Sequence, residues 1–358
     1  MPVPTIPPFP DDVPVVPLLV IDYKRIVERD EAEIDRLWEA ATKLGFWYLK
    51  NHGVDEEVDG MFDMGAETMS LPLEEKLKFK QGDEGVGISA GYKAAGSIVT
   101  DDSTGVPDFV EFMNISRDDA LSYPVPMHRT YPSTVNDRML GTIKPFIEKS
   151  TVVNDTLIGV LNDRLGLPKG ALAKRHDVKE PSGSEGRAIR NPPNQAYTGE
   201  KAVLGSHTDA GSLSFLHHHK VGGLQVLTPG SQQWQYVKPV PGHAICNIGD
   251  TLTIFSGGIL HSSIHRVIPP PKDQAAFERW SVVFFTRPGE GQLLTPLVSE
   301  STLIAEAAKK RPELSSYATV GEWYKRRIAD QRLKNRKGPE TRALTRGTEY
   351  DLEDAGEY

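Results

Sequence analysis

The sequence predicts a mainly β protein with flanking helices, and three observations predict it. After Arg187, strand-like runs come at short intervals (201–206, 211–219, 223–228, 233–237, 243–248, 251–255, 259–268 and 279–286), separated by Gly, Pro and Asn. That spacing belongs to an antiparallel sandwich or barrel rather than to βαβ units. Helical periodicity is confined to the stretches before and after this block. Hydrophobic residues make up 38% and charged residues 25% of 358 residues, an ordinary globular balance with enough chain for a large core.

Taken in order, residues 1–14 hold six prolines and are expected to be extended or poorly ordered. The apolar run 15–22 reads as the first strand. From Asp30 to Leu44, Ile34, Leu37, Trp38, Ala41 and Leu44 recur at helical spacing, which predicts an amphipathic helix. Phe46-Trp47-Tyr48-Leu49 reads as a short aromatic strand and Asn51-His52-Gly53-Val54 as the turn after it. Ser70, Pro72 and Glu74-Glu75 are start signals for a short helix, and 82–105 is rich in Gly, Ser and Asp, like a loop. Helical patterns fill 135–165 through Met139, Ile143, Ile147, Leu157 and Leu161. A basic helix is expected over 320–336, with an acidic tail behind it, read as a solvated face and a loose end. The chain thus divides into an extended N-terminus (1–14), a mixed helical region (15–186), a β core (187–290) and a C-terminal helix with its tail (291–358).

A net charge of −8 argues against nucleic acid or an acidic membrane as partner, since both select basic surfaces. The single cysteine, Cys246, excludes an internal disulfide and sits in a strand-like run, where it reads as a small buried hydrophobe. No secretory signal and no membrane-length apolar run is visible, so a cytoplasmic protein handling a small molecule is expected.

His207-Thr208-Asp209 places two metal-binding side chains at i and i+2 of a strand, on one face and about 7 Å apart. His265, in His265-Arg266-Val267, must reach the same ion from another strand. Two imidazoles and one carboxylate leave roughly three metal positions open, a set that suits Fe(II) and O₂. Arg279 and Ser281 share a strand face with Val283 and Phe285. A guanidinium fork with a hydroxyl beside it suits the far end of a dicarboxylate that chelates the metal. Among the other histidines, strand alternation would split His217, His218 and His219 between two faces, so they read as non-ligands. His261 would lie about 13 Å along the strand from His265, as a pocket residue, while His52, His243 and Asp250 read as structural.

With these residues in hand, the chain resembles the isopenicillin N synthase-like branch of the 2-oxoglutarate/Fe(II) dioxygenases. The resemblance rests on Gly45-Phe46-Trp47-Tyr48-Leu49-Lys50-Asn51-His52-Gly53-Val54, Leu71-Pro72-Leu73-Glu74-Glu75-Lys76 and Pro107-Asp108-Phe109-Val110-Glu111-Phe112 on the N-terminal side. In the core it rests on His207-Thr208-Asp209-Ala210-Gly211-Ser212-Leu213, Val221-Gly222-Gly223-Leu224-Gln225-Val226, Asn247-Ile248-Gly249-Asp250, Ser262-Ser263-Ile264-His265-Arg266-Val267 and Arg279-Trp280-Ser281. It implies a double-stranded β-helix (jelly-roll) core, with Fe(II) on His207, Asp209 and His265 and 2-oxoglutarate on Arg279 and Ser281. It also implies an oxygenase that consumes O₂ and 2-oxoglutarate, releases succinate and CO₂, and hydroxylates, desaturates or rearranges a small molecule, as in specialised metabolism. By position in the family pattern, Phe285, the Leu216–His218 strand, Tyr92, Phe112, Asn114 and the helix near Trp323 and Tyr324 would line the substrate pocket.

Three departures accompany the resemblance. Asn191 stands where the family's Asn-x-Tyr before Pro-Pro has its cosubstrate-contacting tyrosine, and is itself a candidate for that contact. Ser256-Gly257-Gly258 replaces a Ser-Asn-Gly, and the longer link to Arg279, with Pro269-Pro270-Pro271, is expected to be a projecting turn. The Asn191 departure keeps open a second reading, a 2-oxoglutarate-independent Fe(II) oxidase of the same fold, isopenicillin N synthase-type or ascorbate-using. A third, a jelly-roll protein that binds a ligand without turnover, gives no role to three convergent metal ligands.

Overall fold

The structure is a computed structural model that describes residues 5–82, 89–98, 107–193, 203–218, 220–230, 233–314, 318–331 and 348. Its strands are β1 (Val20–Asp22), β2 (Phe46–Lys50), β3 (Gly91–Lys93), β4 (Glu111–Ser116), β5 (Glu185–Asn191), β6 (Leu204–His207), β7 (Leu213–His218), β8 (Leu224–Leu227), β9 (Trp234–Tyr236), β10 (His243–Ile248), β11 (His265–Val267) and β12 (Arg279–Thr286). They form an eight-stranded sheet, β1-β2-β10-β7-β12-β5-β4-β3, and a four-stranded sheet, β6-β11-β8-β9. Every pairing among them is antiparallel except β1 with β2. This is the double-stranded β-helix core expected from the sequence. The large sheet also takes four strands from before residue 185.

Strand alternation sorts the side chains of the large sheet into two environments. Phe46, Tyr48, Phe112 and Ile245 face the small sheet and pack with Val226, Leu224, Val237 and Val267 between the layers. On the reverse face, Trp47, Phe215, Val282 and Phe284 meet the helices Asp55–Ser70 and Lys144–Arg164, with Phe146 edge-on to Phe284 at 6.4 Å. Burial on both faces explains why β12 reads as the near-continuous apolar run Val282-Val283-Phe284-Phe285. The helix Glu31–Lys43 forms as its periodicity predicts, with the Asp30 carboxylate accepting from the Glu33 N–H at its start and Ile34, Leu37 and Ala41 buried. Cys246 is buried in β10, as expected.

Several expectations are corrected. The run 251–255 is part of a helix, Asp250–Phe255, not a strand. It is buried on all sides, so its hydrophobicity carries no period by which the two could be told apart. Of 259–268 only His265–Val267 is a strand, and His261 lies beside Ala41, to whose carbonyl it donates its N–H (3.0 Å). Of 15–22 only Val20–Asp22 is a strand, although Val16 still donates its N–H to the Tyr236 carbonyl at 2.9 Å. The proline-rich N-terminus is docked through Pro7 and Phe9, with Phe9 buried and edge-on to Tyr236 at 5.9 Å, and turns at residues 11–13. The Pro269-Pro270-Pro271 link does not project. It leads into the short helix Lys272–Ala276, whose buried Gln274 accepts from the Gly222 N–H and donates to the Pro7 carbonyl, both at 2.9 Å. The basic C-terminal helix, Val320–Gln331, buries Arg327 rather than exposing one solvated basic face. His219 and the acidic tail lie outside the described residues, and no helix among the described residues is long and apolar enough to cross a membrane.

His176 fastens the helical layer to the loop that follows Asp209. Its ring nitrogens meet the Leu172 carbonyl and the Ser212 hydroxyl, each at 2.7 Å, and burial pulls its pKa down to about 4. The unfolded chain therefore takes up a proton that the folded chain refuses, and stability must fall as pH drops from about 6.5 to about 4. His176→Gln should remove up to roughly 3 kcal/mol of that loss, read as a flatter urea-midpoint profile between pH 4 and 7.

Candidate active site

Register brings the three candidate ligands together. His265 on β11 stands directly opposite His207 on β6, with ring centroids 4.4 Å apart. Asp209 leaves the end of β6 and crosses toward the large sheet, where Ser214 of β7 and Asn247 of β10 (2.7 Å) both donate to its Oδ2. Its Oδ1 is left facing His207 Nε2 at 3.8 Å and His265 Nε2 at 3.6 Å. All three ligand atoms lie within 4.8 Å of one another.

Each imidazole is oriented by its other nitrogen. His207 Nδ1 bonds the Gly205 carbonyl at 2.8 Å and His265 Nδ1 the Ser263 carbonyl at 3.1 Å. A proton on Nδ1 leaves a lone pair on Nε2, the atom that faces Asp209. Burial first, then His265 close by, pulls the His207 pKa down to about 4, so the ring is neutral near pH 7. Burial alone would raise the Asp209 carboxyl; the two histidines with Asn247 and Ser214 outweigh it and hold the group far below the usual carboxylate range. Two imidazole nitrogens and one oxygen of an anchored carboxylate form a donor set that fits Fe(II) and would leave it positions for further ligands.

On the inner face of β12, Arg279 pairs with Asn191 of β5, and Ser281 lies between Ile189 of β5 and His218 of β7. All of these are buried or partly buried, and Arg279 Nε, Ser281 Oγ and Asn191 Oδ1 are buried with no hydrogen-bond partner among the described residues. Burial alone lowers Arg279, to about 10, so it stays charged at neutral pH. The backbone makes room beside it: Gly223 has φ +117°, and a Cβ there would come 2.6 Å from the Ile268 carbonyl and 3.5 Å from Arg279 Cδ. A buried cation, an unpartnered hydroxyl and an amide on one face could together hold a carboxylate.

Of the expected pocket residues, Phe285, Leu216, Phe112 and Asn114 share this inner face. Tyr92 does not, which corrects the expectation from sequence. It lies in β3 opposite Met113, on the helix side, and its hydroxyl donates to Glu111 at 2.6 Å, so alternation turns Gly91 and Lys93 inward instead. His217 likewise faces the helices, against His52 and Phe215. Tyr324 reaches the site indirectly, by stacking on Arg287 (4.4 Å), which in turn lies 5.1 Å from the Phe285 ring. Sequence reasoning missed Arg187, whose guanidinium lies 4.2 Å from the Phe112 ring and 4.7 Å from Phe285. It also missed Ser214 and Asn247 as anchors of Asp209. Nothing local marks them, because their role exists only once β7 and β10 lie side by side.

Comparison with known proteins agrees with this geometry. The 2OG-Fe(II) oxygenase superfamily model matches residues 186–288, and the model for the N-terminal region of non-haem dioxygenase in morphine synthesis matches 17–136. The 2-oxoglutarate-dependent dioxygenase frbH of Dothideomycetidae sp. is 30% identical over 274 residues, covering 75% of this chain and 81% of its own. A 1-aminocyclopropane-1-carboxylate oxidase of Dictyostelium discoideum is 26% identical over 356 residues, covering 88% of this chain and 95% of its own. Among solved structures, a full-length Neurospora crassa protein in complex with alpha-KG shares the fold at TM-score 0.71 and 23% identity, over 89% of this chain and 98% of that one. The chain belongs to the 2-oxoglutarate/Fe(II) oxygenase superfamily and is a non-haem dioxygenase requiring Fe(II), 2-oxoglutarate and O₂.

If Asn247 and Ser214 aim Asp209, removing both donors should loosen the metal without dismantling the sheet. Asn247→Ala with Ser214→Ala should weaken Fe(II) at least tenfold in an anaerobic titration, about the loss typical when ligand-orienting hydrogen bonds are deleted.

Proposed function

We propose that this dioxygenase oxidises a small-molecule substrate in the cytoplasm, in specialised metabolism. In this reading His207, Asp209 and His265 hold Fe(II), and Arg279, Ser281 and Asn191 hold the distal carboxylate of 2-oxoglutarate. Substrate lies against Phe285, Leu216, Phe112 and Asn114. The acidic net charge and the single buried cysteine support a soluble, small-molecule role over binding to nucleic acid or a membrane surface.

One observation carries the cosubstrate assignment. The buried cations among the described residues are Lys76, Lys93, Arg117, Arg279, Arg287 and Arg327. Each pairs with a carboxylate except Arg279, which has none among the described residues. An unpaired buried charge is costly, so the fold sustains it only for a partner that arrives from outside. Arg279 orients that partner through its fork and Ser281 supplies a hydroxyl donor, while Asn191, opposite Arg279 where the family has a tyrosine, borders the same space. Fe(II) and 2-oxoglutarate, once bound, supply the oxidising power from O₂, with succinate and CO₂ as by-products. Leu216 and the rings of Phe112 and Phe285, which carry the Arg187 guanidinium between them, would border the substrate and limit water there.

Anaerobic addition of Fe(II) and then 2-oxoglutarate should raise the weak visible charge-transfer band of a chelated keto acid. Arg279→Ala should weaken 2-oxoglutarate binding roughly 100-fold, as expected for truncating one side of a buried charge pair. Asp209→Ala should abolish the band. Iron binding with a band that Arg279→Ala leaves unchanged would overturn the assignment of Arg279 as the anchor of the cosubstrate.

A further inference from the structure

Thr208 separates the two metal-binding side chains of β6 and its end, and almost everything polar about it is gripped from behind. Its hydroxyl donates to Asp250 Oδ2 at 2.9 Å. Arg327 donates through Nη1 to the same carboxylate oxygen and through Nη2 to the Thr208 carbonyl at 3.1 Å. The Asp250 N–H donates to the Asp209 carbonyl at 2.8 Å, and Thr348 Oγ1 donates to Asp250 Oδ1 at 2.7 Å. Asp250 is 0% exposed, Thr208 1% and Arg327 1%. Arg327 lies on the C-terminal helix, one turn after Trp323, whose ring is 5.0 Å from its guanidinium.

The placement gives these contacts a consequence for the metal. His207 Nε2 and Asp209 Oδ1 stand 3.8 Å apart, and with the side chains held by Gly205, Ser214 and Asn247 that separation depends on the backbone that joins them through Thr208. Arg327 fixes the carbonyl of one plane, and the next carbonyl along, that of Asp209, is fixed by the Asp250 N–H. A buried ion pair adds little net stability over an apolar replacement, but its geometry is specific. The planar fork of Arg327 reaches the carboxylate through one nitrogen and the carbonyl through another, whereas a lysine would have to serve both from a single nitrogen at one point.

We propose that Arg327 and Asp250 are positioning residues for the metal, gripping the chain at Thr208 so that docking of the C-terminal helix and binding of Fe(II) reinforce one another. The proposal rests on His207, Asp209 and His265 being the metal ligands. The coupling is reciprocal: if the docked helix tightens the metal, the metal must tighten the helix.

The test is an anaerobic calorimetric titration of Fe(II) into wild type, Asp209→Ala, Arg327→Lys and Thr208→Val, with amide hydrogen exchange of Val320–Gln331 followed with and without metal. Arg327→Lys and Thr208→Val should each weaken Fe(II) about tenfold. Exchange in the helix should slow when metal is added to the wild type and stay unchanged in Asp209→Ala. Wild-type affinity in both variants, with only a lowered melting temperature, would overturn the brace and leave the ligand assignment standing. So would helix exchange that ignores the metal. Equal Fe(II) binding by wild type and Asp209→Ala would instead remove the ligand assignment, and this proposal with it. Should Arg327→Lys fail to fold, Thr208→Val, which trades the hydroxyl for a methyl, and the metal dependence of helix exchange in the wild type still decide whether the grip at Thr208 is coupled to the metal.

Discussion

The register of β11 against β6 governs the rest of the site, because it sets His265 directly opposite His207. A slip of one residue would turn His265 away and present Arg266 in its place. The register is held from both sides. Val267 and Val226 pack between the sheets and fix which face of the small sheet points inward. β8 also pairs with β11 on its other edge, from Val226 opposite His265 to Leu224 opposite Val267. Phe46 of the large sheet lies edge-on to His265 at 5.4 Å and closes the site from the opposite layer.

Because the two histidines come from the small sheet and the Asp209 anchors from the large one, the metal position exists only while the sheets stay packed. Asp209 spans them, with Oδ2 committed to Ser214 and Asn247 and Oδ1 turned to the histidines. This divides the labour within one carboxylate: one oxygen is fixed by the protein and the other is left for a ligand role. The same logic separates the buried cations. Those that brace the fold carry their own carboxylates, such as Lys76 with Glu111 or Arg117 with Asp118, while Arg279 is left without one among the described residues.

The segments that the sequence would assign to the periphery converge on the ends of the core. The N-terminal extension and the link before β12 meet at Gln274, which holds Gly222 next to the glycine that makes room for Arg279. The C-terminal helix reaches the backbone between His207 and Asp209 through Arg327, which donates to the Thr208 carbonyl. A helix carrying Lys325, Arg326 and Arg327 in succession reads as solvated from composition alone. Only the position of Asp250 behind Thr208 makes one of those charges a buried partner.

The sequence by itself determined what a period of two can encode. Arg279, Ser281 and Phe285 share a face because alternate residues of an extended chain must, whereas His207 and Asp209 converge although β6 ends at His207 and Asp209 lies just beyond it. It also determined the helix Glu31–Lys43, where apolar spacing and the Asp30 cap agree. The family resemblance added which of these faces meet. Tertiary structure alone decided which strands lie side by side, and hence that Ser214 and Asn247 hold Asp209, that Tyr92 points to the helices, and that 251–255 is helical. Those outcomes depend on contacts between residues far apart in the chain, and no local pattern of propensity or periodicity carries that information.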